Sequence, residues 1–165
     1  MVIQKDYTGS RGGEALGARL RRISESIDRD ATQSYSLVDV KFEQRWCGIL
    51  DQLTMNGPMS VSDISSALRI THVSVSQARQ SLEKKGFIYA KSDKSDARRR
   101  ELMITPSGEI LVRRLQPLWE AQRIAASKLN DEVNDLIAVI DEAEKALERK
   151  SLLVRIEEEL QHLKM

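Results

Sequence analysis

The chain has a single cysteine, Cys47, in 165 residues, so it can form neither an intrachain disulfide nor a cysteine-based metal cluster. Its two histidines, His72 and His162, lack metal-ligand spacing. Aromatic residues make up only 4%. No window approaches the ~20 apolar residues of a membrane span, and residues 1–11 lack the apolar run of a signal peptide. The expected compartment is therefore the cytoplasm. The N-terminal glycines follow no strand and have no Lys-Ser/Thr partner, so no phosphate loop is expected. Ser81 and Lys84 have a Ser-x-x-Lys spacing, but no companion motif accompanies it. Nothing assembles a nucleophile, a base and an oxyanion site, so neither enzyme activity nor a cofactor is expected.

What remains is rich in Leu, Ile, Val and Ala, a mix that favours helices. Residues 1–13, with Gly9, Gly12 and Gly13, read as a flexible leader. Leu16, Leu20, Ile23 and Ile27 then recur at helical steps and predict a helix over about 14–35. A second helix is expected over 41–55, ended by Asn56, Gly57 and Pro58. Ser60 with Asp63 suggests a capping box for a short third helix. A tight turn at Arg69 and Ile70 leads to a fourth helix, capped by Thr71 and stopped at Gly86. Two β-type runs, 87–91 and 101–104, flank a charged loop and predict a hairpin. Thr105 and Pro106 open a long helix to about 129, with Pro117 expected to kink it. Asn130 or Asp131 is expected to cap one last helix reaching the C-terminus.

The net charge of +1 hides a split. Residues 72–100 hold eight Lys/Arg against Glu83, Asp93 and Asp96, while residues 130–165 hold ten acidic side chains against five basic ones. A basic middle and an acidic tail suit a protein that offers one face to a polyanion. On the fourth helix Val75, Ala78 and Leu82 share one side. The opposite side carries Val73, Ser76, Gln77, Gln80 and Lys84. Gln can bond adenine edges in two places, and an apolar contact suits a thymine methyl. Thr71, His72 and Ser74 at the helix start are candidate phosphate or base contacts. The hairpin adds Lys91, Lys94, Arg98, Arg99 and Arg100, and guanidinium groups suit a narrow minor groove. Asp96, two residues before Arg98, can hold that arginine in place.

Helix, turn, helix, hairpin and helix in this order over residues 60–108 is the plan of a winged helix-turn-helix. The run Leu68, Thr71, Val75, Ser76, Leu82, Glu83, Lys84, Lys85, Gly86, followed by Asp93, Asp96, Arg98, Leu102, Ile104, Thr105 and Gly108, resembles the MarR family of transcriptional regulators. The resemblance implies a mainly α fold with a small β-hairpin. Residues 41–108 would form the winged helix-turn-helix, and 14–35 and 106–165 the dimerisation helices. It also implies a homodimer on palindromic double-stranded DNA, with Val73 to Gln80 reading bases, Arg98 as the wing arginine and Asp96 as its paired aspartate. Release of DNA by a small-molecule effector is common in the family. Phe42, Arg45 and Trp46 are candidates for an effector pocket, although apolar residues at helical spacing more often belong to a core. Residues 42–46 are also reminiscent of a branch often fused to an acetyltransferase domain, which this chain is too short to contain. Two other readings stay open: a winged-helix adaptor for protein partners, and a redox sensor built on Cys47, a residue type that usually packs as a small hydrophobe.

Overall fold

The computed structural model describes residues 6–92 and 100–163. By its contacts the chain divides into two units, Met1–Trp119 and Glu120–Met165.

The first unit contains α1 (Leu16–Ser34), α2 (Cys47–Asn56), α3 (Val61–Leu68), α4 (His72–Lys84) and the beginning of α5 (Pro106–Glu132). Three short strands, β1 (Met59–Ser60), β2 (Ile88–Ser92) and β3 (Arg100–Ile104), form an antiparallel sheet in the order β1-β3-β2. Ile88 pairs with Ile104 and Ser92 with Arg100, so the two runs form the expected hairpin. β1 pairs Met59 with Leu102 and Ser60 with Glu101; two residues are too few to leave a periodic trace in sequence.

The core of this unit is continuous. Ile49, Leu50 and Leu53 of α2, Ile64 of α3, Val75, Ala78 and Leu82 of α4, Ile88 and Leu102 of the sheet and Leu111, Val112, Leu115 and Leu118 of α5 are all buried together. The three α4 residues expected to face inward do so. Each fully buried Leu or Ile contributes on the order of 2 kcal/mol of transfer free energy, which holds the short helices in place where propensity alone would not.

The second helix is shorter than expected. Residues Gln44–Trp46 form a 3₁₀ turn, and α2 begins only at Cys47. Its end is as predicted, with Gly57 at φ 75° receiving the helix and its N–H donating to the Leu53 carbonyl at 3.1 Å. The segment expected as a flexible leader carries two 3₁₀ turns, Thr8–Ser10 and Gly12–Ala15. Asp6 anchors it to α1, accepting from Arg22 at 3.0 Å and from the Thr8 hydroxyl at 2.9 Å. The Arg22 guanidinium beside it holds its carboxyl at about 2, well below the usual carboxylate range.

The second unit holds the end of α5, then α6 (Leu136–Arg149) and α7 (Leu152–Leu163). Here the single predicted last helix is corrected. α5 runs on through Pro117 to Glu132, and Asn134 and Asp135 take left-handed backbone at φ 60° and 67°. The cap of α6 is Asp135, whose carboxylate accepts from the Ala138 N–H at 3.2 Å, rather than Asn130 or Asp131. Asn130 assists from the end of α5, its Oδ1 accepting from the Ile137 N–H at 2.8 Å. A second break falls at Lys150, which is extended, and Ser151 accepts from the Val154 N–H to start α7. Apolar spacing continues across this break from Leu147 to Leu152, so periodicity alone reads straight through it.

Candidate nucleic-acid interface

The α3–turn–α4 unit is set by local hydrogen bonds. Ser60 and Asp63 form a complete capping box: the Asp63 N–H donates to Ser60 Oγ at 3.1 Å, and the Ser60 N–H donates to Asp63 Oδ2 at 3.2 Å. Arg69 ends α3 with left-handed backbone, φ 51°, and the Ile70 N–H donates to the Ser65 carbonyl at 3.2 Å. A non-glycine residue there costs roughly 1 kcal/mol, which the surrounding contacts must offset. One of them is the Ser65 hydroxyl, which is buried and donates to the Ile70 carbonyl at 2.6 Å. α2 and α3 approach closely at Gly48, where a Cβ would meet the Leu68 methyl groups at 3.1–3.2 Å.

Thr71 caps α4, its Oγ1 accepting from the Ser74 N–H at 3.1 Å. The hydroxyl therefore organises the helix start at which His72 and Ser74 stand exposed. Along the helix Val73, Gln77, Gln80 and Lys84 are exposed and Ser76 is half-buried, opposite the buried Val75, Ala78 and Leu82. The outward face thus mixes an apolar group, two amides, a hydroxyl and a cation, the set needed to read groove edges.

The hairpin follows from a tight corner. Gly86 has φ 73°, and the Thr105 and Ser107 hydroxyls both donate to its carbonyl, at 2.7 and 2.8 Å. The Gly108 N–H donates back to Thr105 Oγ1 at 3.0 Å, completing the predicted cap of α5. A Cβ on Gly108 would lie 2.1 Å from the Phe87 carbonyl oxygen, so only glycine lets α5 start this close to the hairpin. On the hairpin stem Lys91 and Arg100 are exposed. Lys94, Asp96, Arg98 and Arg99 lie outside the described residues.

The pocket candidates separate. Phe42 and Trp46 are buried in an aromatic cluster: Phe42 lies 4.6 Å from the Tyr35 ring and edge-on to Trp46 at 5.4 Å, and Trp46 meets Phe87 at 6.0 Å. Both belong to the core, and their outer edges also reach a surface cleft of about 560 Å³ lined by Tyr35, Lys41, Glu43 and Lys85 among others. Arg45 is exposed, is not among the cleft residues, and donates to Glu43 at 2.7 Å. The Trp46 indole N–H is buried without a hydrogen-bond partner.

Tyr35 organises a polar centre within this cluster, its hydroxyl donating to Gln44 at 2.8 Å and accepting from the Trp119 indole at 3.2 Å. Cys47 sits beside it. Burial, with a smaller contribution from Asp51, pushes the thiol up to about 11. Sequence reasoning missed the Ser65 bond across the turn, which no cap or periodicity marks, and the bond from Ser81 on α4 to Glu43, 38 positions away.

Residues 39–99 match the model of the MarR family. No curated protein matches the sequence. Among solved structures, the S. aureus MepR–DNA complex superposes with a TM-score of 0.68 at 24% identity, covering 79% of this chain and 97% of that one. BldR from Sulfolobus solfataricus, a transcriptional regulator, gives 0.60 at 19% identity over 81% and 93%. BpsR of Bordetella bronchiseptica, whose DNA binding is regulated by 6-hydroxynicotinic acid, gives 0.58 at 23% identity over 73% and 93%. Residues 39–99 are therefore similar in sequence to the MarR family, and the fold over most of the chain is shared with the MepR structure.

Proposed function

We propose that the protein is a homodimeric transcriptional regulator that binds a palindromic operator in duplex DNA and releases it when a small molecule binds. The observation that carries this reading is the outward face of α4, where Val73, Gln77, Gln80 and Lys84 stand free of the core beside a hairpin with a basic sequence. Thr71, His72, Ser74 and Ser76 are assigned to the first turn on the DNA, Lys91 and Arg100 to the hairpin stem, and Lys94, Arg98 and Arg99 to the wing, with Asp96 orienting Arg98.

Dimerisation is supported by uncovered apolar residues. Leu16, Leu20, Ile23 and Ile27 of α1 are exposed, as are Ile137, Ile140 and Leu147 of α6 and Leu152, Ile156 and Leu160 of α7. Stripes of this kind mark association surfaces. The effector is assigned to the cleft beside Tyr35, Phe42 and Trp46. Arg45 is left out of that pocket.

Duplex binding measured against salt tests the proposal. Neutralised phosphates release counterions, so affinity should fall by roughly 10³ or more between about 50 and 200 mM salt if several cations engage. Arg98→Ala should weaken binding to every sequence by about tenfold, whereas Gln77→Ala should change base preference by about 1–3 kcal/mol at one position. Salt-independent binding to a protein partner, with no affinity for duplex, would support the adaptor reading instead.

A further inference from the structure

The connector between α1 and α2 reaches across to α4. Glu43 and Ser81 are 38 positions apart, yet the Ser81 hydroxyl donates to Glu43 Oε1 at 2.9 Å. The other carboxylate oxygen accepts from Arg45 Nε at 2.7 Å, so both oxygens are engaged. Three residues on, Trp46 packs edge-on against Phe87, just beyond the end of α4. The last turn of the helix is therefore held at residue 81, and the chain just beyond its end at residue 87.

These contacts do something the core does not. Val75, Ala78 and Leu82 lie along one line of α4 and set how far the helix stands from the rest of the unit. A line of apolar contacts constrains rotation about the helix axis only weakly, because dispersion and burial are non-directional. Ser81 lies to the side of that line and also off the face of Val73, Gln77, Gln80 and Lys84. A directional bond at that lateral position fixes the rotation. With side-chain tips 5–6 Å from the axis, a turn of about 10° moves them by roughly 1 Å. That displacement is enough to spoil a hydrogen bond to a base edge.

We propose that Glu43 is a positioning residue for α4: through Ser81 it sets the rotation of the helix, and so the side chains it presents to DNA, from outside the helix-turn-helix itself. The proposal rests on the DNA-binding reading. Glu43 also lines the cleft beside Tyr35 and Trp46, so its side chain joins that cleft to α4.

The test uses the full chain and a duplex selected from random sequence by the unaltered protein. Glu43→Ala and Ser81→Ala should each weaken binding to that duplex by about three- to tenfold, the size expected for one partly exposed bond to a charged group. The double variant should lose no more than either single variant, because both remove the same bond. Glu43→Gln keeps an acceptor and should recover most of the loss, and affinity for unrelated duplex should change less than twofold. Amide exchange around residues 81–85 of the free protein should quicken in both alanine variants while that of α2 stays unchanged. Unaltered specific affinity, losses that multiply in the double variant, or an equal loss on unrelated duplex would overturn the assignment. If the unaltered protein binds no duplex, the DNA-binding reading fails first. Amide exchange then decides separately whether Glu43 holds α4, and identical exchange with and without Glu43→Ala would remove the brace.

Discussion

The stretch up to Trp119 and the stretch beyond it use apolar residues in opposite ways. From α2 onward the first buries them: α2 to the start of α5 and the hairpin share one continuous core, while α1 keeps an exposed stripe. In the second, α6 and α7 contain no buried residue, although both repeat Leu, Ile and Val at helical spacing. Both regions have the same type of pattern, so the pattern alone states that a face seeks cover and not where the cover comes from. From α2 to the start of α5 it comes from the same chain; for α6 and α7, as for the exposed stripe of α1, we assign it to a second copy.

The largest break in this comparison should come from the first region. Gly108→Ala forces a methyl group onto the Phe87 carbonyl, separated by 2.1 Å as the backbone stands, and should cost about 3 kcal/mol or more. Thermal or denaturant unfolding measures this, and the loss should not depend on protein concentration. The second region should respond differently. Ile140→Glu or Ile156→Glu places a charge on an exposed apolar stripe. Each should leave the far-UV spectrum of the winged region intact and shift sedimentation from dimer toward monomer at micromolar concentration. Should both variants sediment as the unaltered protein does, those faces are not the association surface.

The smallest effect is expected at Cys47. With the thiol pushed up to about 11 by burial, only about one molecule in a thousand carries a thiolate at pH 8. Alkylation should be slow at that pH and accelerate as pH rises toward 11. Cys47→Ser should leave duplex binding unchanged. Rapid labelling at pH 7, or loss of DNA response in the serine variant, would restore the redox reading.

Much of the fold was legible because local chemistry wrote it. Ser60 with Asp63, Thr71, Gly57, Gly86 and the Thr105–Gly108 cap each mark a boundary through their own backbone requirement. The inward and outward faces of α4 followed from helical angle alone. Illegible were the features made by contact across the chain, the two-residue strand β1 and the Glu43–Ser81 brace, and the Ser65 bond that closes the turn, which has no sequence signature of its own. The break at Lys150 escaped for another reason, since its apolar spacing runs on unbroken and only the Ser151 cap betrays it. Arg45 was grouped with Phe42 and Trp46 by proximity in sequence, yet the turn at Gln44–Trp46 points it to solvent and to Glu43.

The most direct test is the mass of the complex formed between the full chain and its selected duplex, measured by sedimentation at low salt and again at higher salt. Two chains on one duplex, dissociating as salt rises, is the result predicted here. A chain that stays single and leaves the duplex unbound at low salt would contradict the account at its centre.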